Sequence, residues 1–363
     1  QDLLIRTLVA VLKHNRINCS LFCILLVSFF PLFLFNYFGY NSYCLTGKLN
    51  FAIHRKQISE RKTMKEQLAK EIRSKLSGGQ GYEHFSPSSL NIPIQKYIIS
   101  YVASTQEMRR ANKVGYKAHY GNLCGNTAQR IVSKYIYDKA DKREVKPEAF
   151  EKIFEEEKEK INKYNEPKDA RDEYCRIEMI PSCKASIEQT LRLVQTVFGK
   201  RELSSERYVH HKPEGLVLDI LGRIDFESED KFLELKSKPI NFRKNKNGFS
   251  TVIQKLPQDL DSCEPTYMKQ VAFYWYANDK KKKPYLGYVN QEEYKIFEPE
   301  NDRLEYHYQQ LCNKAFTIQN LFEISKGDPM KMAQYVEAPD LSNFYYSDLT
   351  EEQQEITQKL WNL

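Results

Sequence analysis

Two strand-forming segments joined by a short polar turn constrain this chain most, because both carry charge where a sheet needs an apolar face. Leu216-Val-Leu-Asp-Ile-Leu221 and Phe232-Leu-Glu-Leu-Lys236 are rich in strand formers, and Ser228-Glu-Asp230 separates them. The first runs on into Gly222-Arg-Ile-Asp225, and the second carries Glu234-Leu-Lys236. Alternation along a strand sends Glu234 and Lys236 to one face and Leu233 and Leu235 into a core. Charged groups side by side on a half-buried sheet are costly unless a cation neutralises them. The pattern points to divalent-metal and phosphate chemistry. Asp225 and Glu234 are the expected hard-oxygen ligands, and the Leu235 backbone carbonyl is a further one. Lys236 is placed to orient an attacking water and to stabilise charge developing on a phosphate.

The formal charge of +7 is unevenly spread. Residues 1–63 hold eight basic and two acidic groups, +6 of that total, which leaves +1 for the other 300 residues. Attraction for an anionic partner must therefore come from local patches rather than a global field. The same N-terminal segment has no charge between Arg16 and Lys48 and contains the apolar run Leu21 to Phe35, interrupted by Pro31. A membrane anchor needs ~20 apolar residues, which this run nearly supplies. A signal peptide would end in a small-residue cleavage site, which is not seen. The first methionine, Met64, opens a good helix. Residues 1–63 are therefore expected to be upstream sequence translated in frame or an anchor, and residues 64–363 the working domain. Of eight cysteines, Cys124, Cys175, Cys183, Cys263 and Cys312 are scattered, with no C-x-x-C pair or clustered His. Reduced, buried thiols of a cytoplasmic protein are expected.

Helices are expected at Met64–Leu76, Pro93–Met108, Tyr120–Tyr137, Pro147–Tyr164 and Ala185–Phe198. Strands follow at Glu206–His210, Leu216–Phe226 and Lys231–Lys236, then a basic loop from Ser237 to about Cys263. A helix at Pro265–Ala277, a strand pair at Pro284–Asn290 and Tyr294–Glu298, and helices at Arg303–Ile324 and Glu351–Trp361 complete the chain. This order predicts one mixed α/β domain, a central mixed sheet flanked by helices.

Gln270-Val-Ala-Phe-Tyr274 adds a third element, since residues four apart on a helix share a face. With Gly222/Asp225, Glu234/Lys236 and Gln270/Tyr274 in this order, the chain resembles the RecB-type branch of the PD-(D/E)xK nucleases over roughly residues 85–300. Within that branch it looks most like stand-alone exonucleases of the mitochondrial genome maintenance type and their phage-encoded relatives. The resemblance implies a restriction-endonuclease-like core, Mg²⁺ or Mn²⁺ as cofactor, and hydrolysis of DNA, single-stranded or with free ends. It implies a cytoplasmic setting, that of the host cell for a phage-encoded protein. The family's early helical histidine aligns with Gln129 in Gly121-Asn-Leu-Cys-Gly125-Asn-Thr-Ala-Gln129. An amide oxygen is a weaker ligand than imidazole. Gln129 is thus either a metal ligand or a polar surface residue, and His119, off register, is expected at the surface. Some relatives hold an iron–sulfur cluster through three cysteines after the QxxxY element; only Cys312 lies there, so no cluster is implied.

Gln270 and Tyr274 are expected to shape the site and contact the strand, with Ser86, Ser88, Arg223 and Lys238 on the phosphate backbone. Arg243, Lys244 and Lys246 extend that set, and the serines can alternatively cap a helix. Tyr274 and Trp275 could offer a stacking face, although core burial suits Trp275 better. Glu206, at the start of the preceding strand, is a candidate additional carboxylate. Two other readings stay open: a catalytically weak nucleic-acid-binding relative, and a membrane-tethered scaffold using a nuclease fold if residues 1–63 form an anchor.

Overall fold

The computed structural model describes residues 59–60, 62–70, 72, 84–111, 114–133, 145–199, 201–246 and 248–363. The apolar run at 21–35 lies outside them. The chain divides into two compact units, Gln1–Lys65 and Glu66–Leu363. Residues 62–65 are helical in the first; the elements named next all belong to the second. Among the described residues no helix is long and apolar enough to cross a membrane.

The second unit is a mixed α/β structure. Its strands are β1 (His84–Phe85), β2 (Ser204–His211), β3 (Asp219–Glu227), β4 (Lys231–Ser237), β5 (Asn241–Asn245), β6 (Gly248–Val252), β7 (Lys283–Val289) and β8 (Tyr294–Phe297). Short helices α1 (Pro87–Leu90), α2 (Ile94–Tyr97, continued by a π-helical stretch Ile98–Ala103) and α3 (Gln106–Ala111) come first. Longer ones follow: α4 (Tyr116–Ile131), α5 (Pro147–Tyr164), α6 (Ala170–Glu178), α7 (Ile180–Phe198), α8 (Pro265–Ala277) and α9 (Asn301–Ser325). α10 (Pro329–Gln334) and α11 (Glu351–Trp361) close the chain.

The main sheet runs β1-β3-β4-β7-β8, with β2 also paired to β3. β4 and β7 are parallel, as are β1 and β3, whereas β2–β3, β3–β4 and β7–β8 are antiparallel. Helices cover both faces. On one, Ile220, Ile224, Phe232, Leu286 and Tyr288 meet α8 and α9 through Val271, Phe273, Leu311 and Phe322. On the other, Phe226, Leu233, Leu235 and Val289 meet α4 and α7 through Leu123, Ile187, Leu193 and Val194. The predicted sides of Leu233 and Leu235 are those observed. Gly287 brings α7 down on the sheet, since a Cβ there would meet Leu193 Cδ1 and Leu233 Cδ1, each at 2.9 Å.

Several expectations need correction. The helix predicted at Pro93–Met108 breaks at Ser104, whose hydroxyl bonds the Ile99 carbonyl and so competes with the helical ladder. The helix predicted from Ala185 starts at Ile180, where Pro181 suits the first turn. The basic loop contains an antiparallel ribbon, β5 with β6, in which Arg243 faces Ser250 and Lys244 faces Phe249. Its cations hid the strand pattern, but Ile240 and buried Phe242 anchor it to the α4–α7 core. The helix predicted at Tyr120–Tyr137 starts earlier, at Tyr116, and residues 134–144 lie outside the described set.

Candidate metal centre

β3 and β4 pair only next to their turn, at Phe226↔Leu233 and Glu227↔Phe232. Beyond that the strands part, and Asp225 and Glu234 are the first residues past the fork on either side. β1 holds the far end of the same β3 edge at Asp219 and Ile220, because β2 occupies the opposite edge. The stretch Leu221–Asp225 therefore has no ladder partner on the fork side among the described residues. Asp225 replaces one missing ladder bond: its Oδ2 accepts the Leu235 N–H at 2.8 Å. Its Oδ1 accepts from Gln129 Nε2 at 3.1 Å, which brings α4 to the fork.

Glu234 is buried, with 3% of its surface exposed. Its Oε1 accepts from Lys236 Nζ at 2.6 Å, and its Oε2 is buried with no hydrogen-bond partner. Burial, followed by the neighbouring Asp225 charge, pushes the Glu234 carboxyl up to about 8. Burial also raises Asp225, against the pull of Lys236. Burial disfavours the Lys236 charge, yet Glu234 and Asp225 beside it outweigh that and raise its pKa. Lys236 is further held over the Tyr267 ring, 4.5 Å from its centroid.

α8 supplies the roof of the fork. Tyr267, Gln270 and Tyr274 follow at i, i+3 and i+7, so they form one stripe along the helix. Tyr267 ends that stripe at Lys236, and Tyr274 ends it at Gly222. A Cβ on Gly222 would lie 2.5 Å from Tyr274 Cε1 and 2.8 Å from Phe273 Cε1. The glycine is thus required by the close approach of two rings, and it couples the Gly222/Asp225 and Gln270/Tyr274 elements physically. Gln270, between the two tyrosines, has a buried Oε1 without a partner. Tyr274 and Trp275 are buried at 3% and 5%, so Tyr274 offers no open face to a base and its contribution is packing.

Other expected site residues sit farther out. Ser86 caps α1 in a reciprocal capping box with Ser89, and Ser88 is exposed with its hydroxyl 3.1 Å from that of Ser86. Lys238 pairs with Glu264 at 2.5 Å. Arg223 pairs with Glu206 at 2.9 Å. Glu206 has a left-handed backbone (φ 59°), and β2 keeps register through Ser205↔Phe226 and Arg207↔Ile224 on either side of it. Its carboxylate therefore lines a neighbouring cavity rather than joining Asp225. His119 is buried rather than at the surface. Its pKa falls to about 4 because of burial and the charge of Arg176.

That cavity, of about 760 Å³, was missed from sequence. Asn122, Asn126, Gln129 and Ser133 form one wall, with Glu206 and Arg223 opposite. These four polar residues recur at helical spacing (i, i+4, i+7, i+11), a stripe that a helical reading of the segment contains. Gln129 belongs both to the cavity wall and to the fork, so the two open onto one region.

The donors at the fork fit a hard cation such as Mg²⁺ or Mn²⁺ in kind: carboxylate, amide and carbonyl oxygen, with two buried acceptors left unpaired. They are few, and among the described residues no three His, Cys, Asp or Glu side chains gather around a common point. An ion here would depend on neutral oxygens beside Asp225 and Glu234. In comparison with known proteins, the chain matches no family model and no curated protein.

Proposed function

We propose that this protein is a metal-dependent DNA nuclease that removes nucleotides from a free end. The observation that carries the reading is the fork, where Asp225, Glu234 and Lys236 converge and a buried Glu234 oxygen is left without a partner. Asp225, Glu234 and the Leu235 carbonyl would hold Mg²⁺ or Mn²⁺, with the Gln129 amide oxygen after rotation of its amide. When bound, such an ion neutralises phosphate charge and makes water more acidic. With an ion at the fork Glu234 would hold it as a carboxylate, and Lys236 Nζ, beside Glu234, would be placed to orient a water and to meet charge developing on the phosphate. The adjoining cavity lies within the ~300–1,000 Å³ of typical ligand pockets. The order of the three sequence elements, as in the RecB-type branch, supports action at DNA ends.

A second reading, a nucleic-acid-binding relative with weak catalysis, draws support from Gln129 in place of histidine and from the small donor set. End-labelled linear DNA and closed circular DNA, incubated with Mg²⁺, Mn²⁺ or chelator, separate the two. Short end-derived products from linear DNA, only with metal and with circles intact, are expected. Binding without cleavage in any condition would select the second reading.

A further inference from the structure

A second cavity, of about 390 Å³, opens at the other end of α4. Lys117, Lys168, Arg171 and Arg243 line it, from α4, the loop before α6, α6 itself and the ribbon. None of these four cations makes an ion pair with a described residue, although Arg171 lies over the Phe249 ring at 5.6 Å. Two acids also line the cavity, and both are committed elsewhere. Asp172 is buried, paired with Arg176 at 2.9 Å and accepting the Tyr116 N–H; Asp169 caps α6 by accepting the Asp172 N–H. Lys244 and Lys246 continue the cationic edge along the ribbon, exposed and likewise without ion pairs to described residues. Beside the cleft, Tyr174 is 39% exposed, its ring 5.2 Å from Phe249 and 6.1 Å from Phe242.

We propose that this cleft binds the phosphates of a single-stranded nucleic acid, with Tyr174 as a stacking surface for an unpaired base. Unpaired cations beside an exposed aromatic ring are the combination that grips single strands without reading sequence. The cleft is a neighbour of the cavity at the fork. Asn165 lines that one and Lys168 this one, on a single loop that buried Arg176 holds by bonding the Asn165, Glu166 and Val114 carbonyls. Lys117 and Gln129 mark the two ends along α4, separated by ~18 Å at 1.5 Å per residue. That distance equals about five phosphates at the ~3.4 Å spacing of one strand of a duplex, and fewer for a more extended single strand. The direction of travel, from cleft to fork, rests on the nuclease reading; the binding does not.

The test is fluorescence anisotropy with labelled dT12 and with a blunt 12-base-pair hairpin, in chelator, across a salt series. Lys117→Gln, Lys168→Gln, Arg171→Gln and Arg243→Gln are combined, and compared with a surface control, Lys152→Gln with Lys331→Gln and Lys359→Gln. The combined variant is expected to bind dT12 at least tenfold more weakly. Its log–log salt slope should fall by ~0.7 for each phosphate that is no longer neutralised. If its melting shows misfolding, the double variant Lys117→Gln with Arg243→Gln, at two exposed positions, should show about half the slope change. Affinity and slope equal to the control, a loss confined to the hairpin, or no dT12 binding by the unaltered protein would overturn the proposal. Because metal is absent, dT12 binding that depends on the cleft in a protein that never cleaves would uphold the cleft and sink the nuclease reading. Metal-dependent cleavage with unchanged dT12 affinity in the variant would do the reverse.

Discussion

Glu234 and Gly222 shape the fork by opposite means, one through buried charge and one through the absence of a side chain. The acidic–x–lysine triplet was legible as charge on a strand, but the reason for glycine at 222 was not. It becomes visible only when the Tyr274 and Phe273 rings are found where its Cβ would stand. Gly222→Ala should therefore destabilise the protein by about 1–3 kcal/mol, the usual cost of overpacking, as read by urea unfolding. Glu234 gives a prediction with a definite sign. Its folded pKa is raised from 4.5 to about 8, so below 4.5 both folded and unfolded forms are protonated and no penalty exists. As pH rises toward 8 the unfolded form loses its proton first, and the chelated protein loses stability. Asp225, also raised, acts in the same direction, and Lys236, raised above 10.5, stays charged throughout this window. The melting temperature of Glu234→Gln relative to wild type should thus climb between pH 5 and pH 8 in chelator. A difference that stays flat or shrinks would contradict a buried carboxyl with one oxygen left unpaired.

At the scale of elements, the strands and the long helices were readable because their apolar periods are strong; α5, α8 and α11 run as their patterns predict. The ribbon β5–β6 was not, since Arg243 and Lys244 are exposed and Phe242 is the one buried residue of β5. Nor was the parting of β3 from β4, because no local pattern distinguishes a ladder that continues from one that stops after two pairs. That parting makes the site: it leaves the Leu235 N–H for Asp225 and admits α4 and α8 from opposite faces. α4 turns Leu123 and Ala128 toward the core and Asn122, Asn126 and Gln129 toward the cavity. Asn126→Leu, on the cavity wall, should leave stability within about 1 kcal/mol, as for most substitutions away from the core. Metal-dependent DNA cleavage should nevertheless fall on the order of tenfold, about 1.4 kcal/mol of barrier. Unchanged cleavage would detach the cavity from the reaction.

For the whole molecule, charge and layering agree. Two helical layers bury both faces of the sheet and leave a candidate site where β3 and β4 part. Residues 64–363 are almost neutral, so any binding of an anionic polymer by them would fall to local features: the fork, the cavity beside it and the cationic cleft beyond. The most direct measurement is the single-turnover cleavage rate of end-labelled linear DNA with Mn²⁺, for wild type and for Lys236→Ala, with folding of both verified by melting. The geometry predicts metal-dependent cleavage by wild type and a loss of about 10²–10³-fold in the variant, the scale for removing one charge-stabilising donor. Equal rates, or no metal-dependent cleavage by the wild-type protein, would contradict it.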